Sequence, residues 1–315
     1  MRYLIPLYIS LVLGCQVALA DDYRYALKPV EIAPGVWIIE GETEDFSSDN
    51  GGNIVNIAFI ITEQGVIVFD TGPSWRYGEQ LREAIAAVTE LPITHVLLSH
   101  HHPDHVFGNQ AFDPEMLYAL EGTILRLAEQ GNDFAENLYR TLGDWMRGTE
   151  VVLPTRRVTP GRMIIGGRDI ELIAMSGHSG ADLVLMDHAS GVLLAADMLF
   201  YQRAATTPHT PGLAVWREEL RELESLDFRY LVPGHGPLIE GRAPFEQMHA
   251  YLDWLDDTLR EAASQGLTAS EVMGLPIPER FDEIAMTRHE LIRSVSHLYG
   301  RYERKALELI DEGGR

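Results

Sequence analysis

Short apolar runs alternate with turn residues from about residue 34 onward. Val36-Trp37-Ile38-Ile39, Ile54 to Ile61 and Val66-Ile67-Val68-Phe69 read as strands bounded by Gly, Asp or charged residues. From Glu79 to Thr89 the period changes, and Leu81, Ile85 and Val88 recur at the spacing of a helix with one buried face. Thr94 to Leu98 reads as a buried strand, and residues 114–148 as a helical region interrupted at Gly122, Gly131 and Gly143. A second strand-rich stretch follows: Met163-Ile164-Ile165, Ile170 to Ala174, Leu183 to Met186 and Val192 to Ala195. A helix from Val215 to Ser225 and a strand at Tyr230-Leu231-Val232 complete it. From Ala243 to Ile310 the pattern is helical, broken once at Gly274-Leu275-Pro276-Ile277-Pro278. The two strand–helix stretches, 21–110 and 160–240, suggest stacked α/β layers, and periodicity alone leaves a barrel open.

The first twenty residues, MRYLIPLYISLVLGCQVALA, differ from the rest. Arg2, the nearly all-apolar run from Tyr3 to Val12 and the small residues of Ala18-Leu19-Ala20 predict a signal peptide cleaved after Ala20. The protein is then expected to be periplasmic or secreted. Pro6, Gly14 and Gln16 interrupt the run short of the roughly 20 apolar residues of a membrane span, so no transmembrane anchor is expected after processing. Val12-Leu13-Gly14-Cys15 also resembles a lipobox, which makes a lipoprotein anchored through Cys15 the alternative.

Composition narrows the chemistry. With 315 residues and 46% hydrophobic positions the chain has ample material for a large core. A net charge of −22 argues against nucleic acid or an anionic membrane surface as partners. A single cysteine excludes a disulfide framework and any thiolate zinc knuckle. A metal site would therefore be built from carboxylates and the twelve histidines.

One segment concentrates them. Ser99 to Asn109 reads SHHHPDHVFGN directly after a strand, with His100, His102, Asp104 and His105 at i, i+2, i+4 and i+5. This spacing suits two metals held close together, and a His/Asp set is an ordinary zinc site that stays open to iron or manganese. Three further candidates stand at ends of apolar strands: His178, Asp197 and His235, with Asp70 in a similar place. Individually such residues are usually surface or turn residues, which is how His95, His188, His249, His289 and His297 are read; His101 alternates away from the ligand pair.

These motifs resemble those of the metallo-β-lactamase-fold hydrolases. The match consists of His100-x-His102-x-Asp104-His105, the preceding Asp70-Thr71-Gly72, His178, Asp197 and Val232-Pro233-Gly234-His235-Gly236-Pro237, over roughly residues 30–240. The resemblance implies an αββα sandwich: two mixed β-sheets flanked by helices, here with a C-terminal helical extension. Together with the residue pattern at the two ends, it divides the chain into an expected signal peptide (1–20), a hydrolase domain (21–242) and a helical segment (243–315) packed on that domain. It implies two Zn²⁺ per chain, one on His100, His102 and His178, the other on Asp104, His105 and His235, with Asp197 bridging. Asp70 would steer the histidine loop from behind. One departure is Ala196, where many relatives carry Gly before the bridging Asp. The stretches Asn50 to Asn56, Asp70 to Leu81 and Thr207 to Gly212 are similar to the exported quinoprotein relay system zinc metallohydrolases, themselves related to a Sox-group metallohydrolase.

The function implied is hydrolysis of a small-molecule ester, thioester, lactone or amide by a hydroxide shared between the metals. Asp104 and Asp197 would take part as catalytic ligands, in service of a periplasmic quinoprotein dehydrogenase system. A zinc β-lactamase is a second reading, disfavoured by Asp197 where related lactamases carry Cys or Ser. A mononuclear iron persulfide dioxygenase is a third, and a non-catalytic metal-holding protein a fourth. Tyr201, Arg203 and His209 follow Asp197 closely and are candidate substrate-lining residues, Arg203 for an anionic group. Phe46 to Asn53 reads as a flap beside the site or a plain hairpin loop, and Trp75-Arg76-Tyr77 as a mouth or a helix start.

Overall fold

A computed structural model describes residues 23–313; the expected signal peptide, its cleavage site and Cys15 lie outside the described residues. The first sheet runs β1 (Val30–Ala33), β2 (Val36–Ile39), β3 (Ile57–Ile61), β4 (Val66–Phe69), β5 (Ile93–Leu97), β6 (Leu117–Ala119) and β7 (Arg156–Arg157), hydrogen-bonded in that order. Its pairing is antiparallel as far as β4 and parallel from there on. The second sheet is formed by β8 (Gly161–Ile165), β9 (Arg168–Met175), β10 (Asp182–Asp187), β11 (Val192–Phe200), β12 (Tyr230–His235) and β13 (Ile239–Glu240), with only β11 and β12 parallel. The helices are α1 (Trp75–Val88), α2 (Pro103–Val106), α3 (Glu121–Leu142), α4 (Leu213–Glu224), α5 (Ala243–Ser264), α6 (Ala269–Met273) and α7 (Thr287–Gly313).

Three apolar layers follow from the strand alternation. In β4, Val66 and Val68 face α1 and α3, while Ile67 and Phe69 face the second sheet. In β11, Leu194 and Ala196 meet the first sheet, and Leu193 and Ala195 meet α4, α5 and α7. Central strands are therefore buried on both faces, which explains their unbroken apolar runs. The layering is the expected αββα sandwich, and the barrel is excluded. Residues 243–309 share one core with α4 and β11, through Phe245, Met248, Leu252, Leu255, Leu291, Val295 and Tyr299.

Several boundaries differ from the sequence expectation. Ile54 to Asn56 leave the strand pattern, and β3 begins at Ile57, because their backbone turns into the site. The region 114–148 contains a single long helix, α3, preceded by the short strand β6 that the helical periodicity concealed. α1 starts earlier than its apolar spacing suggests, because the Ser74 hydroxyl caps the Tyr77 N–H at 3.1 Å. Trp75-Arg76-Tyr77 is thus a helix start.

Candidate metal centre

The loops that leave β4, β5 and β9 meet the irregular second half of β11 and the end of β12 at one edge of the sandwich. His100, His102, Asp104, His105, His178, Asp197 and His235 are all buried there, none more than 7% exposed. His178 Nε2 stands 2.9 Å from His102 Nδ1 and 3.3 Å from Asp197 Oδ2. His100 Nε2 is 3.8 Å from the same Asp197 oxygen. On the other side, His235 Nε2 is 3.3 Å from both Asp104 Oδ2 and Asp197 Oδ2, and His105 Nε2 is 3.1 Å from Asp197 Oδ1. Donors around a tetrahedral zinc stand about 3.3 Å apart, the edge of a tetrahedron with bonds of about 2.05 Å. The observed separations bracket that length. His100, His102, His178 and Asp197 form one convergent group, and Asp104, His105 and His235 another.

Hydrogen bonds from behind aim the rings. Asp70 accepts from the Ser99 N–H and the Ser99 hydroxyl, both at 2.7 Å, and from His105 Nδ1 at 2.8 Å. His235 Nδ1 donates to the Ile54 carbonyl at 2.7 Å. With Nδ1 as the donor, Nε2 of His105 and of His235 keeps its lone pair and points inward. His100 Nε2, His105 Nε2 and Asp197 Oδ1 are buried without any hydrogen-bond partner. Orphaned acceptors of this kind are costly unless something else satisfies them, and a divalent cation fits that requirement.

Electrostatics divide the cluster. Burial, reinforced by neighbouring imidazoles, pushes His100 and His102 well below the ordinary histidine range. Burial, opposed by Asp197 and helped by His105, brings His178 down to about 4. These three are neutral with lone pairs available. Burial would also lower His105 and His235, but the carboxylates of Asp197, Asp104 and Asp70 outweigh it at His105, and those of Asp197 and Asp104 at His235, so both are raised. Burial would raise Asp197 and Asp104; the facing His235 and His105 hold both below the usual carboxylate range. Asp104 and Asp197 thus stay ionised, and in drawing positive charge onto His105 and His235 they mark the place a cation would take.

Backbone placement makes this convergence possible. Ala196 adopts φ +44°, the left-handed region, at the irregularity where β11 loses register with β12. That kink turns Asp197 toward the site. Opposite it, a Cβ on Gly234 would lie 2.1 Å from Asp197 Oδ1. The Asn56 amide donates to the carbonyls of Pro233 and Gly236, at 2.9 and 2.7 Å, and fastens the His235 turn.

The His178 turn is held by residues that carried no local sequence signal. The Glu219 carboxylate on α4 accepts from the N–H groups of Ser176 and Gly177 and from the Ser176 hydroxyl. Asp182 accepts from the N–H groups of His178 and Ser179. Trp216 stacks edge-on against His178 at 5.2 Å and leaves no room for a Cβ on Gly177. These contacts span 3 to 43 residues, and only α4 packing brings Glu219 there. Asn56 was legible as part of the Asn50–Asn56 motif, though its role was not.

A cavity of about 340 Å³ opens onto the centre. Phe46, Ile54, Phe134 and Leu138 provide apolar wall, and His289 and Arg293 of α7 reach it from the C-terminal segment. His289, read from sequence as a background histidine, lies 3.2 Å from Asp45 on this wall. His209 also lines the cavity, and burial, aided by the charges of His297 and Arg293, lowers its pKa to about 4.

Arg203 lines the cavity too, yet it is only 2% exposed. It donates to the carbonyls of Glu44 and Ala204 and to the Thr206 hydroxyl, and lies 3.7 Å from Glu290. Its donors are engaged by the protein, so it is neither a solvated side chain nor a free anion receptor. Tyr201 is not among the cavity-lining residues. Its contribution is backbone: its N–H donates to the His235 carbonyl at 3.0 Å, because the chain continues pairing past β11. The Phe46–Asn53 segment is a pinned loop. Asn50 bonds Asp45 O, Ser47 N and Gly52 N, and Trp145 Nε1 donates to Ser48 O.

The model of the Metallo-beta-lactamase superfamily matches residues 50–235. The chain belongs to this superfamily. The Metallo-beta-lactamase domain-containing protein 1 of Xenopus laevis is 26% identical over 205 residues, 62% of this chain and 77% of that protein. The metallo-beta-lactamase from Pontibacter korlensis superposes with a TM-score of 0.59 at 19% identity, over 72% of this chain and 99% of its own. The stereoselective inverting sec-alkylsulfatase Pisa1 from Pseudomonas sp. gives 0.67 at 16% identity, over 88% of this chain and 50% of its own. These two solved structures share the fold and carry the names of hydrolases. Among the described residues, no helix is long and apolar enough to cross a membrane.

Proposed function

We propose that this chain is a hydrolase that holds two zinc ions and cleaves an ester, thioester, lactone or amide bond of a small molecule. The observation that carries the reading is the convergence of seven buried imidazole and carboxylate side chains, three of them with orphaned donor atoms facing one another. In this reading one ion takes His100, His102 and His178, the other Asp104, His105 and His235, and Asp197 reaches both. Such a pair of ions, when bound, lowers the pKa of water toward neutrality and polarises the substrate.

The chain's own residues do the rest. Asp70 and the Ile54 carbonyl hold the His105 and His235 rings in register. Asp104 and Asp197 supply the negative charge beside which the attacking water is oriented, and Phe46, Phe134 and Leu138 shield the reacting bond from bulk solvent. Export and service to a quinoprotein dehydrogenase system are part of the same proposal, supported by residues 1–20 and by the Asn50–Asn56 and Thr207–Gly212 motifs.

A sulfate ester is a second substrate class. What favours it is that the alkylsulfatase likeness extends over 88% of this chain, against 72% for the β-lactamase, and so takes in more than the core sandwich. One experiment decides between these and the alternatives. Metal content of the purified chain is measured together with turnover of ester, thioester, lactone, lactam and alkyl sulfate substrates, before and after chelation. About two zinc per chain, with turnover lost on chelation and restored by zinc, is the expected result. Near one iron per chain with oxygen uptake would replace this proposal with the dioxygenase. His102→Ala is expected to lower zinc content and abolish turnover; a variant with undiminished rate and no metal would end the reading.

A further inference from the structure

His209 abuts His102 from outside the cluster, and the role assigned to it below rests on the metal-binding reading above. His102 Nδ1 faces the cluster, 2.9 Å from His178 Nε2, while its Nε2 faces away, 2.6 Å from His209 Nδ1. An imidazole whose Nδ1 lone pair serves a cation carries its proton on Nε2. That N–H can only donate, so His209 Nδ1 must accept, and a neutral His209 then keeps its own proton on Nε2. His209 Nε2 has no protein partner among the described residues, and the ring lines the cavity.

The ring is held firmly. Thr207 and Thr210 bracket it: the Thr207 hydroxyl meets Ser294 of α7 at 2.6 Å, and the Thr210 hydroxyl donates to the Gly177 carbonyl, one residue before His178, at 2.5 Å. The Phe134 ring packs against it at 5.8 Å. We propose that His209 is a positioning residue for His102 and, through Nε2–H, a hydrogen-bond donor to an acceptor oxygen of the substrate. A neutral donor of this kind recognises a carbonyl, carboxyl or sulfonyl oxygen without requiring net charge.

A competing arrangement exists in the same place. His101, His102 and His209 also converge, and both ring nitrogens of His101 are buried without a hydrogen bond. A third ion there would need the His102 Nε2 lone pair, which the donation to His209 removes.

The test uses the full chain loaded with zinc, with zinc affinity read by chelator competition, the His209 tautomer by long-range ¹H–¹⁵N spectra, and inorganic phosphate as an oxyanion probe. Wild type is expected to show the Nε2–H tautomer at His209. His209→Phe should weaken zinc binding about 10- to 100-fold. At saturating zinc it should weaken phosphate about three- to tenfold. His209→Gln, whose amide can both accept from His102 and donate into the cavity, should recover most of both. An Nδ1–H tautomer, or a His209→Phe chain with wild-type zinc affinity, would overturn the proposal, as would a third zinc lost in His101→Phe. A wild-type chain that binds no zinc would instead sink the functional reading itself, so the two failures are distinguishable.

Discussion

Asp70 acts on the centre through other side chains, collecting two donors from Ser99 and one from His105 in a single buried carboxylate. In Asp70→Asn the amide NH₂ can turn toward His105 Nδ1, which would shift the ring proton to Nε2 and occupy the donor atom. A loss of about 10- to 100-fold in zinc affinity follows, measurable by competition with a chromogenic chelator. Two neighbouring backbone positions should respond in opposite directions. Ala196 sits at φ +44°, where a Cβ costs roughly 1 kcal/mol or more relative to glycine. Ala196→Gly should therefore raise stability by about 1 kcal/mol in urea titration, with metal content unchanged. Gly234→Ala should do the reverse, since its Cβ would meet Asp197 Oδ1 at 2.1 Å and force the carboxylate aside; the purified variant should carry less than half its zinc.

Helix α4 is more than a cover for the second sheet. Leu213, Trp216, Leu220 and Leu223 bury its apolar stripe, and Glu219, one turn along from Trp216, reaches the His178 turn. A carboxylate can accept from all the donors presented there, whereas an amide turns an NH₂ group toward some of them. Hydrogen bonds to charged groups contribute about 1.5–3 kcal/mol. Glu219→Gln is expected to cost about 2 kcal/mol of stability and to weaken zinc binding by loosening His178. Unchanged urea and chelator titrations would show that the turn holds itself.

The sandwich and the C-terminal helices are one hydrophobic object, because α5 and α7 pack on α4 and β11 in a continuous core. Ending the chain after Arg242 would uncover Leu213, Trp216, Leu220 and Leu223 and remove His289 and Arg293 from the cavity wall. Such a truncation is expected to aggregate, seen as loss of the monomeric or oligomeric peak in size-exclusion chromatography, even though the matched family region, 50–235, is intact. A soluble, zinc-binding fragment would show that the extension is a separable attachment.

Much of the fold was legible because its signals are local. Strands buried on both faces announce themselves as unbroken apolar runs, and ligand types beyond them or, for Asp197, within one stand out against that background, so His100, His102, Asp104, His105, His178, Asp197 and His235 could be picked from the chain alone. Short elements were lost where two periodicities overlap, as at β6, and the backbone bond from Tyr201 to His235 had no sequence signal. What only the packed molecule decided is which groups meet across long separations. The contacts His178–His102 and His102–His209 span 76 and 107 residues, and Glu219 reaches its turn from 43 residues away. Such distances are set by how two sheets and their helices stack, a property of the whole core with no counterpart in the order of residues within any one segment.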